Sequence, residues 1–431
     1  MKTALVHDDL VQRGGAERVV AALHDIFPEA PLYTSVYDRR TAPPCFRGMD
    51  VRTSFLQKWL GGSGLLHKFA LPYFPRAFEQ FDFSDYDLVV SSCSRFAKGI
   101  LTAPATCHVC YCHTPSRFAW RPHEYLAQSR SGRAFEPAIR GTLSQLRTWD
   151  VMSAQRVDYF IANSQTTAHR IRKYYRREVA AVVPPPVETA RFEPVGADQV
   201  GDHFLVVSRL VGYKRVDLAV SACNQLGVRL RVIGAGPELA SLKKRAGPTV
   251  EFLGALPDAE VAAQYARCRA LIFPGEEDFG LTPLEAMASG RPVVAYRAGG
   301  ALETVVAGQT GLFFSEQTPE SLASVLRSVS DYPFVPAALQ AHASRFDVSV
   351  FNQRVREVVA SVYQEHACSF GLSAERGRVF QNKCDYLLGH RTGPQPGHGT
   401  GLQPGGDHAP SVPAVSLVIH SPGEVRVSVD H

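Results

Sequence analysis

No stretch of the chain reaches the roughly 18–20 uncharged apolar residues that a membrane-spanning helix requires. The opening MKTALVHDDLVQRGG likewise has no long apolar segment followed by a small-residue cleavage site. A multi-span membrane protein and a conventionally secreted one are therefore disfavoured. Cysteine is scarce and odd in number, nine along the chain, which speaks against a disulfide framework and for free thiols in a reducing, cytoplasmic setting. Neither sign of charge dominates: the net charge is +5, but Lys and Arg exceed Asp and Glu by 25 to 19 over residues 1–200 and trail by 21 to 22 over the rest. The amino-terminal half is the better candidate to meet an acidic ligand or surface. What is present, 45% hydrophobic and 20% charged residues over 431 positions, is the composition of a globular protein of two or three domains at roughly 100–200 residues each.

The apolar runs are short and bounded by turn residues. Thr3–Val6 leads through Gly14-Gly15 into a helical pattern over Arg18–Phe27, the strand, glycine turn and helix that open an alternating α/β domain. Runs at 87–91, 108–112, 159–162 and 180–183 read as further buried parallel strands. Pro184-Pro185-Pro186 stops regular structure, and the polar stretch to Gly201 reads as a linker. A second series follows, with strands over 203–208, 229–233, 250–253, 270–273 and 292–296 and helices over 216–226, 238–246, 258–267 and 283–289. This predicts two doubly wound α/β domains, 1–186 and 187–346, with a closing helix over 347–366. Ligands in such sheets sit at the carboxyl ends of the strands, so the cleft between the domains is where chemistry is expected. From 367 to 431 the chain reads as a mostly disordered tail, because Gly389–Pro413 is too poor in apolar residues to fold alone. Ala414–Asp430 alternates like a hairpin.

The densest motif runs from Phe273 to Gly290. Thr282 at N-cap, Pro283 at N1 and Glu285 at N3 predict a capping box, and Gly280 lets an anion approach the helix start. In isolation Glu285 would merely complete that box and Glu277 would be a solvated loop carboxylate. Arg209 and Lys214, at the end of the second domain's first strand, offer a planar fork and a point charge suited to a diphosphate; read alone they are solvated loop cations. Gly234-Ala-Gly236 after a strand is a weak phosphate-loop signal. Gly14-Gly15 either lets a ligand approach the backbone or makes a tight turn needing positive φ. Cys107-His108-x-Cys110-x-Cys112-His113 invites a zinc reading, but these residues alternate along a predicted strand and point to opposite faces. Small buried thiols are the plainer reading. The aromatic, Lys-containing segment Phe55–Phe74 and the basic run His169–Arg177 are either helices with a solvated basic face or a surface for an anionic membrane leaflet. With no aromatic stacking platform or binding module, nucleic acid is not expected as a partner.

Together these stretches resemble retaining glycosyltransferase family 4, of the GT-B fold. Glu277-x7-Glu285 with Phe279-Gly280 between is similar to the family's E-x7-E signature, and Ser208-Arg209-Leu210-x3-Lys214-Arg215 to its donor-phosphate motif. Gly14-Gly15 resembles its cleft-facing glycine pair, and Gly299-Gly300-Ala-Leu-Glu303 its loop after the next strand, which as a simple turn would carry no ligand. His113-Thr114-Pro115-x-Arg117-x-x-Trp120 resembles a mannosyltransferase-rich branch. The resemblance covers about residues 1–365. It implies that the C-terminal domain binds a nucleoside-diphosphate sugar, first GDP-mannose, through Gly234, Gly236, Phe279, Gly280, Leu281, Thr282 and Glu285, with Gly14 and Gly15 facing it from the other domain. Glu285 would take the ribose hydroxyls, Glu277 those of the transferred sugar, and His113 would stand near its reacting carbon. Arg209 and Lys214 would stabilise the leaving diphosphate with no metal or other cofactor. It further implies retention of configuration by front-face displacement, a double displacement through Glu277 being the competitor. The implied acceptor is a polyprenyl-diphosphate saccharide for lipopolysaccharide or exopolysaccharide, met at the inner face of the plasma membrane. A UDP-sugar transferase, a sugar-nucleotide epimerase or phosphorylase, and a non-catalytic nucleotide-sugar-binding partner are the alternatives.

Overall fold

Why the runs become strands is visible in their burial. Leu88–Cys93 and Cys107–Cys112 are buried at all six positions, as strands covered on both faces by helices must be. The computed structural model describes residues 1–60, 70–122 and 136–371. In chain order the strands are β1 (Thr3–His7), β2 (Leu32–Thr34), β3 (Val51–Thr53), β4 (Leu88–Cys93), β5 (Cys107–Cys112), β6 (Tyr159–Ala162), β7 (Ala181–Val182), β8 (Phe204–Val207), β9 (Leu230–Ile233), β10 (Val250–Gly254), β11 (Ala270–Phe273), β12 (Val293–Tyr296) and β13 (Gly311–Phe314). The first seven form one parallel sheet in the order β3-β2-β1-β4-β5-β6-β7, and the other six a second in the order β10-β9-β8-β11-β12-β13. In each sheet the strand order reverses beside its first strand, between β1 and β4 and between β8 and β11. Loops leaving the carboxyl ends of two such neighbours splay to opposite faces and open a crevice. This places the loops after His7, Cys93, Val207 and Phe273 at the functional positions of the fold.

Helices bury each sheet on both faces. The β5 alternation sends Cys110 and Cys112 to one core cluster and Cys107 and Tyr111 to the other. The eight cysteines among the described residues are all free thiols. The last helix, Val348–Ser369, returns to the first domain, seating Phe351, Val355, Val359 and Val362 among Leu5, Val90 and Tyr111. Its capping residue Asp347 also accepts from the Thr189 hydroxyl at 2.5 Å, and Val187 exchanges backbone bonds with Phe346 and Val348. The linker and the returning chain thus cross between the sheets side by side.

β2, β3 and β13 have no counterpart in the sequence reading; at three or four residues each they are too short to show a period. The closing helix runs to Ser369, beyond the expected 366, because His366 and Ala367 are buried. The rest of the expected tail, from 372, with its hairpin-like end, lies outside the described residues, as do residues 61–69 of the aromatic segment. Among the described residues no helix is long and apolar enough to cross a membrane.

Burial also sets a pH response. His108 is fully buried with Nε2 2.8 Å from the Ser91 hydroxyl, and burial pushes its pKa down to about 3. His113 is held down to about 3 by burial, with His7 adding to the effect. A histidine whose folded pKa lies below its unfolded value of 6.5 contributes stability that is complete above pH 6.5 and drains away as pH falls toward 3. Denaturant melts between pH 7 and pH 4 are expected to lose about 1.4 kcal/mol per pH unit for each such group. His108→Gln should lower that slope by about one proton. An unchanged slope would refute the assignment.

Candidate active site

The crevice-forming loops face one another across the two domains, and the residues singled out in the sequence fall on them or on the loops after β5, β9 and β12. Lys214 ends a short 3-10 turn after β8 and pairs with Glu277 on the loop after β11. Gly275 makes that pairing sterically possible: a Cβ there would stand 2.8 Å from the Tyr213 carbonyl oxygen and 2.9 Å from the Lys214 Cα. Arg209 stays exposed, donating to the Tyr213 hydroxyl at 3.2 Å and to Gln12 of the first domain at 3.4 Å. The loop after β8 therefore presents two cations side by side, one paired and one reaching across.

The capping box is not formed. The helix spans Leu281–Ala288 with Gly280 at its N-cap, φ +90°, and no side-chain capping bond. Thr282 and Pro283 therefore lie inside the helix, and Glu285 sits too deep to reach its start. Two partners hold Glu285 instead: Arg18 of the first domain forms an ion pair with it, and the buried Tyr265 hydroxyl donates to it at 2.8 Å. With Glu285 only 5% exposed, these fixed partners outweigh a solvent-facing cap. Phe279 is buried in the second domain's core against Phe346, so only its backbone is available to a ligand. Leu281 meets Gly15, where a Cβ would come within 2.7 Å of the leucine Cδ1.

Gly234, Gly236, Gly299 and Gly300 answer to close backbone packing, whereas a Cβ at Gly14 or Gly15 would meet the side chains of Glu17 and Leu281. Gly14 is extended at φ −154° and Gly15 also lacks a positive φ, so the tight-turn reading of this pair does not hold. Gly234, at φ +135°, has a Cβ direction that would strike the Ser208 carbonyl oxygen at 1.8 Å, and Gly236 has one 2.3 Å from that of Leu210. They clamp the loop after β9 against the Arg209 loop. Gly299 and Gly300 similarly let their loop press on Glu277 and Phe279, and the Gly300 N–H donates to the Glu277 carbonyl at 2.8 Å.

From the first domain, His113 at the end of β5 shares the Ser92 hydroxyl with His7, at 2.8 Å and 3.3 Å. His7 Nδ1 also lies 3.1 Å from the Ser92 carbonyl, which only accepts, so that nitrogen carries the proton. Ser92 is then free to donate to His113 Nε2, leaving His113 a neutral ring with its own proton on Nδ1. Asp8, after β1, accepts from the N–H groups of Ser94, Arg95, Phe96 and Ala97 at 2.7–2.9 Å. Burial pushes its carboxyl up, but the Arg95 and His7 charges and those N–H groups bring it down to about 2. It fixes the loop after β4 that carries Arg95, and Arg95 in turn pairs with Asp9.

Sequence reasoning missed a second layer of charge. Arg117 and Arg170 of the first domain pair with Asp278, and Arg121 and Arg170 with Glu276. Burial, with repulsion from Arg117 and Arg121, pushes Arg170 down to about 10. Glu303 reaches the start of the helix Gln165–Tyr175, accepting the N–H groups of Gln165 and Thr166 at 2.7 and 3.0 Å. Signals were available: Glu276 and Asp278 flank Glu277, and Arg117 lies in the His113 motif. Of the basic run, Arg170 turns inward, Arg172 pairs with Glu178 and Arg177 bonds backbone carbonyls, so the run is not a uniform outward face.

Two parallel α/β domains whose crevice loops interlock in this way define a protein of the two-domain GT-B class. Residues 13–191 match the family described as Glycosyltransferase Family 4, and residues 188–344 that described as Glycosyl transferases group 1. The two matches meet at the linker and together run from residue 13 to residue 344. It is 30% identical over 220 residues, 44% of this chain and 49% of the relative, to D-inositol 3-phosphate glycosyltransferase of Segniliparus rotundus. It is 30% identical over 202 residues, 40% of this chain and 53% of the relative, to the GDP-mannose-dependent alpha-(1-6)-phosphatidylinositol monomannoside mannosyltransferase of Mycolicibacterium smegmatis. The chain spans about half the length of the curated relatives it matches. Its fold is similar to that of Anabaena HepE in complex with UDP, with a TM-score of 0.62, 21% identity, and coverage of 84% of this chain and all of the other.

Proposed function

We propose that the protein is a glycosyltransferase that moves mannose from GDP-mannose, with retention of configuration, to a polyprenyl-diphosphate-linked saccharide of cell-surface polysaccharide. The observation that carries the reading is the Lys214–Glu277 pair beside Arg209, set where the crevice of the second sheet opens toward His113. As the glycosidic bond breaks, negative charge grows on the leaving diphosphate. Arg209 and Lys214 meet that charge in place, and the start of the helix Leu281–Ala288 adds its positive end, so the reading needs no metal. Glu277 takes the sugar hydroxyls and Glu285 the ribose. In the front-face displacement the leaving phosphate accepts the acceptor's proton as the new bond forms. The pairing of Glu277 with Lys214 favours this over a covalent glycosyl-Glu277, because a carboxylate held by a cation is a weakened nucleophile.

GDP-mannose is favoured by the named specificity of the Mycolicibacterium relative; the bound UDP of HepE keeps UDP-sugars as the second reading. Docking on an anionic inner leaflet is supported by Trp59 and Tyr73, which meet edge-to-face with centroids 5.5 Å apart and are 56% and 47% exposed. The test is a thermal melt against GDP-mannose, UDP-glucose, UDP-galactose and UDP-N-acetylglucosamine, with Arg209→Ala as control. A ligand at about 100 times its Kd stabilises by about 2.7 kcal/mol. A shift for GDP-mannose alone that vanishes in the variant supports the reading, and a shift for a UDP-sugar alone transfers it to the second. No shift for any donor would overturn it. Donor binding without nucleotide release in the presence of a lipid-linked acceptor would mark a non-catalytic binder.

A further inference from the structure

At the end of the first sheet opposite the crevice, the chain brings together a thiol, a carboxylate and an imidazole that the candidate active site does not use. Cys107 is the first residue of β5 and fully buried. Asp158 immediately precedes β6 and accepts the His108 N–H through Oδ2 at 2.7 Å. His366 lies in the last turn of the closing helix, 4% exposed. One ligand atom from each of the three lies within 4.8 Å of the other two. Residues from three distant parts of the chain thus converge at the amino-terminal edge of the strands, away from the loops that carry His113 and Lys214.

His366 is what sets this meeting apart from ordinary packing. Its Nε2 is buried and has no hydrogen-bond partner among the described residues. Leaving such an atom unmet costs about 1–3 kcal/mol, and folded proteins usually meet it with another polar group, a water or an ion. A thiol, imidazole and carboxylate are also the parts of a nucleophilic triad, but Cys107 has no exposure through which a substrate could reach its sulfur. What a buried thiol, an unmet imidazole nitrogen and a half-buried carboxylate can take together is an ion.

We propose that Cys107, Asp158 and His366 form a structural zinc site that pins the end of the closing helix to the first sheet. One sulfur, one nitrogen and one oxygen make three donors of a zinc set, with water from the side of the half-buried Asp158 as the fourth, whereas calcium and magnesium take oxygen. At Zn–S of about 2.3 Å and Zn–N or Zn–O of about 2.1 Å, tetrahedral ligand atoms stand about 3.5 Å apart, so side-chain movements of about 1 Å close the site. Binding sends the Cys107 thiol proton to solvent. Thiolate and carboxylate then balance the dication, so the buried site is neutral overall. Of the cysteine and histidine run on β5, only Cys107 takes part. A tie between the starts of two neighbouring strands and the last turn of the returning helix would fix where the chain finishes its crossing back from the second domain.

The test is titration of the metal-stripped full chain with cobalt(II), followed by zinc. The expected result is one equivalent of cobalt with a thiolate-to-cobalt charge-transfer band, displaced by one equivalent of zinc, and a melting temperature raised by zinc. Cys107→Ser is expected to abolish the band, and His366→Asn to weaken binding on the order of 10–100-fold, the scale on which even the outer partners of metal ligands act. Asp158→Asn keeps an oxygen for the His108 N–H, so it is expected to fold with an unchanged metal-free melting temperature and still bind weakly. No charge-transfer band, or one that survives Cys107→Ser, would overturn the site.

Discussion

Replacing Asp150 by alanine is expected to lower stability by about 3–5 kcal/mol, because it strands a buried ammonium. Asp150 sits on the helix Glu136–Ala154 at 1% exposure, and the Lys98 side chain, equally buried, donates to it at 2.5 Å. Burial works to lower the Lys98 pKa, and the Asp150 charge more than offsets it, keeping the lysine charged. The same carboxylate accepts from Ser116 at 2.8 Å, from the Trp120 indole at 2.7 Å and from the Tyr175 hydroxyl at 2.9 Å. It therefore ties together the loop after β4, the short helix Arg117–Trp120 and the helix Gln165–Tyr175, each of which carries a cleft arginine: Arg95, Arg117 or Arg170. Asp150→Asn keeps one acceptor but loses the charge and should fall between the two. Pairing Asp150→Leu with Lys98→Met removes the uncompensated charge and should recover part of the loss. The measurement is the denaturant midpoint of the first domain's transition. A loss under 1 kcal/mol for Asp150→Ala would show that Lys98 finds water or another partner.

How much of this was legible depends on the range of the interaction. Runs such as Leu88–Cys93 announce buried strands by themselves, and alternation of strand and helix then dictates two doubly wound sheets with loops at the carboxyl ends of the strands. β2 and β3 escape because three residues have no period, yet they extend the first sheet at its edge. Glu285 shows the limit at the site: its spacing from Thr282 reads locally as a capping box, while its partners, Arg18 and Tyr265, come from elsewhere in the chain. The glycines at 234 and 236 show the converse. Their need for glycine is plain, but whether a ligand or the Ser208–Leu210 backbone sets it depends on a neighbouring loop that only the fold supplies. Asp150 carried no motif at all, because a four-way acceptor is defined by what surrounds it.

On the proposed transfer from GDP-mannose, Lys214→Ala is expected to cost on the order of 10²–10³ in kcat, the scale on which one fixed donor to a developing oxyanion acts. Two effects add. In that reading the leaving diphosphate loses a cation placed before reaction begins, and Glu277, now unpaired, leaves an uncompensated negative charge in the site where more develops. Glu277→Gln retains hydroxyl-binding capacity while removing that charge, so the double variant is expected to be less impaired than the two single losses combined. If Glu277 were instead a covalent nucleophile, Glu277→Gln would abolish turnover alone and the double variant would recover nothing. Arg209 provides the internal comparison: exposed and bonded across the crevice to Gln12, it should affect donor affinity as well as turnover, so Arg209→Ala raises KM where Lys214→Ala chiefly lowers kcat. Steady-state kinetics on the four variants separate these outcomes. Equal KM and kcat effects for Arg209→Ala and Lys214→Ala would mean that the two cations act as one diphosphate clamp, with no separate role for the Lys214–Glu277 pair in the transition state.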